Sequence, residues 1–482
     1  MSSYVSLAAV RRHAVTERGL LLDCGGPRLA VTALTDRLIR VRLAPSGEFA
    51  PRRSWDAARA DDEFAPAPFT VETRGGEVVL DTGALSVRVE TATGRVAFAD
   101  AHGRLFAADA EAPTWKPGAG VRVAKRIAGG EHFYGFGERT GLLEKTGRRF
   151  VNWATDPAHP HGPDVNAMYQ AIPIYLAVRA AGAQADAPLA YGLFFHNTFR
   201  SAFDVGRARP DVLTLEAEGG EADYYVAYGP APAGVMQGWA ALLGTLPLPP
   251  RWALGHHQSR WSYMSADEVR AVAAGFRERD LPCDVIHLDI DYMRGYRVFT
   301  WDPERFPDPA GLIADLRAQG FRVVTIIDPG VKADPEYAVY RDGLAREAFI
   351  RQADGAVAHG YVWPDDSVFA DFTRPEVRAW WGGLQAALTE PGVSGVWNDM
   401  NEPVVFDRPF SQGGGGVGTL PLDAPQGPDG ERTTHAEVHN LYGSLMAQAS
   451  YEGLRRLLGD ERPFTLTRSG FAGYQRWSAG WM

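Results

Sequence analysis

Cysteine is nearly absent: Cys24 and Cys283 are the two in 482 residues. Thiols so far apart in the chain argue against a disulfide framework and fit a reduced, cytoplasmic protein. A basic excess is missing as well. The formal net charge is -10, which argues against a general nucleic-acid binder. No apolar run is long enough to cross a bilayer, and the N-terminus MSSYVSLAAVRRHAV lacks the apolar core and cleavage site of a signal peptide. A soluble, intracellular chain with no membrane partner is expected. Several chemical signatures are missing too. No G-x-G-x-x-G or G-x-x-x-x-G-K-[ST] follows a predicted strand, and there is no G-x-S-x-G. There is no H-E-x-x-H, and the adjacent His256 and His257 would face opposite sides of a strand. Neither a metal nor another cofactor is expected.

Length, 482 residues, calls for two or more domains. The chain holds 13 Trp and 17 Tyr. Aromatics in this number suit stacking on sugar rings, although large cores use them too. Residues 1–245 read as β-rich. The stretches 28–45, 76–98, 189–205 and 222–230 alternate apolar and polar residues, and Thr-Gly pairs punctuate the second like hairpin turns. Many short strands point to a sandwich. The aromatic, glycine-rich stretch 133–162 reads either as a surface loop reaching a site or as a long hairpin. The proline-rich 246–255 reads as a domain boundary.

From Trp252 the pattern turns to alternating strand and helix. Strands are expected in WALGHHQS, DVIHLDID (284–291), RVVTIID (322–328), VSGVWNDM (393–400) and FTLTRS (464–469). Between them, Ser265-Ala-Asp-Glu268 is a capping box ahead of the stripe Val269, Val272, Ala273 and Phe276. Asp308-Pro309 opens a second helix, Thr373-Arg-Pro375 a third, and a fourth is expected near 435–457. This order predicts a parallel sheet with covered faces, either a barrel whose loops build a site or a doubly wound open sheet.

The strands end in charge. The second offers Asp289 and Asp291, on one face by period two; the third ends in Asp328, the fourth in Asp399, the fifth in Arg468. Trp397 and Asp399 would share a face. For any one acid, a helix cap or an ion pair is the commoner role. For the set, a polar pocket is, because several buried carboxylates need pairing or hydration. Trp261, Trp301, Trp363, Trp397 and Trp481 lie near these acids in sequence. Acids beside aromatic walls are what sugar recognition and glycoside cleavage use.

These segments resemble glycoside hydrolase family 31, in its retaining α-glucosidase branch. GVWNDMNEP (395–403) is similar to the nucleophile motif. FYGFGERTG, RWSY (260–263), LDIDYM (288–293), FTWDPERFPDP (299–309), WPDD (363–366), HNLYG (439–443) and TRSGFAGYQRWSAGWM (467–482) follow in the family's order. The resemblance implies an N-terminal β-sandwich (1–245), then a (β/α)8 TIM-type barrel (246–482) with an insert at about 329–370, and C-terminal β-domains. It implies Asp399 as the nucleophile. It also implies Asp156, Asp289, Ile290, Ile326, Trp363, Trp397, Met400, Arg468 and Trp481 as the subsite for the non-reducing sugar.

The implied activity is exo-acting hydrolysis of terminal α-linked glucose from an oligosaccharide through a covalent glycosyl-enzyme, with a second carboxyl as acid/base. An α-transglucosylase uses the same residues, and LDIDYM and WNDMNEP favour glucosidase over α-xylosidase. The family's acid/base follows the Trp of a W-x-G-D motif, of which Trp481-Met482 supplies only the start. The acid/base is therefore expected beyond Met482, and about five of eight barrel strands within the chain. On this reading 1–482 alone is an inactive fragment. A non-hydrolytic glycan-binding or remnant protein is the alternative. A complementing C-terminal polypeptide and a homo-oligomer stay open.

Overall fold

A computed structural model describes residues 4–51, 59–157, 161–163, 165–181, 187–416 and 418–481. Residues 158–160 of the aromatic stretch and Met482 lie outside the described residues. The chain divides into two compact units. One comprises Met1–Trp153 and Pro160–Gly244; the other comprises Ala154–His159 and Thr245–Met482.

The first unit is built of antiparallel sheets. The largest has eight strands in the order Glu131–Gly135, Ile174–Arg179, Leu189–Phe195, Ala222–Gly229, Leu38–Ala44, Arg28–Ala33, Gly19–Asp23, Arg12–Thr16. A six-stranded sheet centred on Gly120–Arg126 and Val212–Ala217, and a five-stranded one centred on Leu85–Glu90, complete it. Alternation explains the layering. In Arg28–Ala33, Leu29, Val31 and Ala33 are buried while the residues between are not. These side chains join Val87, Phe98, Val123, Tyr175 and Phe203 in one apolar core. The turns at Thr82-Gly83 and Thr93-Gly94 have glycine φ of +83° and +70°, which explains the punctuation there. Polar groups are buried with this core as well. Lys125 Nζ lies 2.7 Å from Asp109 and donates to the Tyr224 hydroxyl at 3.0 Å, so the buried charge is paired on both sides.

The second unit carries a parallel sheet. Its strands are β1 (His257–Gln258), β2 (Val285–Leu288), β3 (Arg322–Ile327), β4 (Gly395–Asn398), β5 (Thr465–Thr467) and β6 (Ala479–Gly480), side by side in that order. The helices between them are α1 (Ala266–Glu278), α2 (Pro309–Ala318), α3 (Pro375–Leu384) and α4 (Tyr442–Leu457). This succession is that of an incomplete (β/α)8 barrel. After β3 the chain inserts a small antiparallel sheet of Gly330–Lys332, Asp365–Phe369 and His359–Val362, with a helix at Ala338–Ala345. Asp308 caps α2 by accepting from Gly311 N at 2.9 Å. Ser265 caps α1 in the same way, accepting from Glu268 N, but the capping box closes differently from expectation. Glu268 reaches back to Met264 N at 2.7 Å, one residue earlier than the cap.

Two strand readings are refined. The first strand is only two residues long, because Arg251–Leu254 winds into a 3-10 turn behind Pro250. A sixth strand, β6, joins the five read from sequence. Its two residues, Ala and Gly, leave no apolar run to detect, and it exists through pairing with β5. Among the described residues no helix is long and apolar enough to cross a membrane.

Candidate active site

The site is assembled where β2 to β5 end, and strand alternation decides which side chains enter it. On β4, Asn398 points toward α4. Ser450 Oγ donates to its Oδ1 at 2.6 Å, and its Nδ2 donates to Leu466 O at 3.1 Å. Trp397 and Asp399 therefore take the opposite face. The ladder continues one residue past β4, with Asp399 N donating to Ile327 O at 3.1 Å. The chain then turns through Met400 at φ +55°, a left-handed conformation held by its surroundings. Asn401 ties this turn to the end of β5. It donates to Thr467 Oγ1 at 2.9 Å and accepts from Ser469 N at 3.0 Å.

Arg468 is the centre of charge. Its backbone N donates to Asn398 O at 3.0 Å, which sets the guanidinium beside the β4 terminus. Nε and Nη2 donate to the two oxygens of Glu402 at 2.9 and 2.8 Å. Nε also lies 3.1 Å from Asp399 Oδ1, and Nη1 lies 3.8 Å from Asp156 Oδ2. The short segment around Asp156 is itself anchored. Asn440 Oδ1 accepts from Ala154 N at 2.8 Å, and His439 Nε2 donates to Ala154 O at 2.7 Å.

Burial works against ionisation here. It disfavours the Arg468 charge, but Asp399 and Glu402 outweigh it and hold the arginine pKa above its ordinary value. Burial raises the Asp399 pKa, and Arg468 pulls it back. The same two influences act on Glu402, again with a net rise. Asp289 is pushed up to about 6 by burial, opposed by the Ile290 N–H that its side chain accepts at 2.7 Å and reinforced by Asp399. Asp328 is pushed furthest from the ordinary carboxylate range. Burial dominates, Asp399, Asp289 and Glu402 add to it, and Arg468 opposes.

The apolar walls are formed by the other expected residues. Ile326 on β3 is in register with Trp397 on β4, so the two side chains share a face. Trp481 meets Trp397 edge to face, with ring centroids 4.9 Å apart. Trp363, from the insert, packs with Phe410 against a cluster of Met400, Val404 and Phe406. Ile290 is buried in the 3-10 turn that Asp289 caps. The floor is a histidine pair. His257 Nδ1 and His287 Nε2 are 3.0 Å apart, and His287 lies edge to face against Trp397. Burial, then His257, lowers the His287 pKa to about 3, and burial also lowers that of His257.

One expectation fails. Asp291 does not join Asp289 on one face, because β2 stops at Leu288 and period two stops with it. Asp291 lies in the following 3-10 turn and pairs with Arg305 at 3.2 Å. Glu402 was not expected in the site. It sits past the strand end, and no signal in the sequence reveals that it faces Arg468. Asp328 was visible as a strand-ending acid but carried no role.

Chemically, the site offers a buried carboxylate held against a fixed cation, beside two indoles. Residues 246–482 match the profile described as the glycosyl hydrolases family 31 TIM-barrel domain, and residues 28–204 match the family's N-terminal galactose mutarotase-like domain. The chain is 41% identical over 469 residues to Alpha-glucosidase 2 of Bacillus thermoamyloliquefaciens, covering 97% of this chain and 57% of that protein. It is 41% identical over 269 residues to Neutral alpha-glucosidase C of Macaca fascicularis, covering 55% of this chain and 34% of that protein. A solved structure of a Flavobacterium johnsoniae dextranase complexed with glucose superposes with a TM-score of 0.85 at 26% identity, over 99% of this chain and 56% of that one. The chain thus spans little more than half the length of Alpha-glucosidase 2 and of the dextranase. Two family profiles in the family's own order and a relative aligned along nearly the whole chain lead to one conclusion: the chain belongs to glycosyl hydrolases family 31.

Proposed function

We propose that this site is the nucleophile side of a retaining, exo-acting α-glucosidase. Asp399 attacks the anomeric carbon of a terminal α-linked glucose and forms a covalent glycosyl-enzyme. The observation that carries the reading is Asp399 itself, 8% exposed and 3.1 Å from Arg468 Nε, at the end of a parallel strand whose preceding inward residue is Trp397. Arg468 keeps the carboxylate anionic before attack and interacts less with the neutral ester formed after it. Asp156 and Asp289 would bind sugar hydroxyls. Trp363, Trp397 and Trp481 would stack on the ring, with Ile290, Ile326 and Met400 lining it. The likeness to proteins named α-glucosidases supports glucose as the sugar. Two buried free cysteines suit a cytoplasmic setting.

Retention needs a second carboxyl about 5–5.5 Å from the first to protonate the leaving oxygen and then activate water. We assign that role to no residue of 1–482. Glu402 is spent on Arg468 through two hydrogen bonds, and Asp328 is enclosed. That commitment favours a second reading, a glycan-binding chain without hydrolysis. An α-glucosyl fluoride separates the two, because fluoride departs without general-acid help. The nucleophile reading expects a stable mass gain of one glucosyl unit, mapped to the 395–403 peptide and lost in Asp399→Asn. Binding of the sugar with no covalent label, or a label retained in Asp399→Asn, would falsify the assignment.

A further inference from the structure

The site holds more acid than Arg468 neutralises. Asp289, Asp328, Asp399 and Glu402 end or follow adjacent strands, Asp156 approaches from its own segment, and Arg468 is the cation in ion-pair distance of Asp156, Asp399 and Glu402. Two of these acids are paired by the sheet. Ile327 and Asn398 are register partners on β3 and β4, so Asp328 and Asp399 are the next pair in line, about 4.8 Å apart in backbone. Both point inward, two residues beyond Ile326 and Trp397. Asp328 is 4% exposed. Its Oδ1 is inaccessible and has no hydrogen-bond partner among the described residues, and the same is true of Asp399 Oδ1, whose contact with Arg468 Nε is an ion pair. Two ionised carboxylates offer only acceptors, so neither could satisfy the other. A single proton resolves both vacancies, turning one acid into a donor and the other into its acceptor.

Resting on the assignment of Asp399 as nucleophile, we propose that Asp328 is held as a neutral carboxylic acid whose O–H donates to the Asp399 carboxylate and fixes it for attack. The proton belongs on Asp328 because Arg468 contacts Asp399 and stabilises its charge. The groups facing Asp328 agree with this. Asp289 at the end of β2, and Asp399 and Glu402 beyond β4, all disfavour a further anion; Arg468 beyond β5 opposes them. Tyr292, in the turn after β2, is buried and protonated, and its hydroxyl is committed to Ile326 O at 2.9 Å. Asp328 is a positioning residue: it acts through Asp399 and not on the sugar. When Asp399 becomes an ester its charge is gone, and the strongest electrostatic reason for Asp328 to stay protonated goes with it.

Two measurements on the full chain decide the matter. Infrared difference spectroscopy at pH 7.5, parent chain minus Asp328→Asn, should show one protonated-carboxyl carbonyl band. No such band in the difference overturns the proposal. This arm needs no turnover. Labelling by α-glucosyl fluoride then tests the consequence. Asp328→Ala should slow labelling by about 100-fold, the cost of removing one preorganised donor, while Asp328→Asn, which keeps an N–H donor, should slow it far less. In the parent chain labelling should fall at alkaline pH as Asp328 ionises, and Asp328→Asn should lose that limb. Equal damage from Asn and Ala, with the alkaline limb unmoved, overturns the proposal. A parent chain that shows the band but takes no label contradicts the nucleophile reading instead.

Discussion

Removing the guanidinium of Arg468 should do more harm at high pH than at low pH. In Arg468→Met the side chain keeps its bulk but loses its charge and its two hydrogen bonds to Glu402. Glu402 is 1% exposed in its side chain and Asp399 11%, so neither anion gains water in compensation. Breaking a buried, hydrogen-bonded ion pair by deleting one partner costs about 3–5 kcal/mol. For a unit of this size each kcal/mol moves the melting temperature by about 2–4 °C, giving a drop of about 6–20 °C at pH 8. The acids can escape part of this by taking protons. Burial already raises the pKa of Asp289, Asp328, Asp399 and Glu402 above their ordinary values, Asp289 from 3.8 to about 6. Acids with raised pKa favour the folded state fully below the unfolded value and lose that contribution as pH rises through the folded one. Loss of Arg468 raises the folded values further, so the window widens upward. Thermal unfolding followed by tryptophan fluorescence at pH 5.5 and pH 8 should show a deficit at least about 1.4 kcal/mol smaller at the lower pH, one pKa unit's worth for a single acid. An equal deficit at both pH values would refute the electrostatic account and leave only lost packing.

Three further outcomes can be checked independently. Trp397→Ala should cost about 3–5 kcal/mol of stability, because the indole is 6% exposed and packs on His287 and Trp481. Trp481→Ala, 39% exposed, should cost much less while weakening maltose binding as strongly by calorimetry; parity in stability loss would contradict the burial argument. His287 has a depressed pKa, so the unfolded chain gains a proton first as pH falls below about 6.5, and stability should drop by about 2 kcal/mol from pH 6.5 to 5. The difference in denaturant midpoint between the parent chain and His287→Gln isolates this slope from the opposing one of the acids, and an unchanged slope would reject it. Gly382→Ala should destabilise by about 1–3 kcal/mol, since the added Cβ would meet Ala449 O at 2.7 Å where α3 crosses α4; a denaturant midpoint equal to that of the parent chain would mean the helices separate freely.

What could be read from the chain alone divides along physical lines. The strands β2 to β4 were legible because each is a mostly apolar run, buried except for Arg322 at the start of β3, and such a run needs only local composition to be recognised. Helices α1 and α2 announced themselves through Ser265 and Asp308, whose caps are local hydrogen bonds. The strand β6 was not legible, because Ala479–Gly480 has no local reason to be extended and is defined by its neighbour. The site divides in the same way. Asp399 and Arg468 could be located because each terminates a recognisable strand. Asp291 was misplaced because alternation was carried three residues past the end of β2, and only the backbone turn reveals that stop.

Glu402 and Asp328 show the limit most clearly. Neither residue's role follows from its own segment. Glu402 matters because β5 delivers a guanidinium to it, and Asp328 because β3 and β4 are aligned so that two acids become neighbours. Both facts are properties of register, which is set by pairing across the sheet over separations of about 70 residues and leaves no mark on composition. The consequence is energetic. A sheet shifted by one residue would turn Asp328 or Asp399 out of the pocket and relieve their repulsion, so the folded state keeps a crowding of charge that the apolar strands must outweigh. Val324 and Ile326 on the acids' own face, and Ile327 and Val396 on the other, all at most 1% exposed, supply that burial. The packed β3–β4 pair is thus what holds the two carboxyls in register, and the chemistry at the rim depends on it.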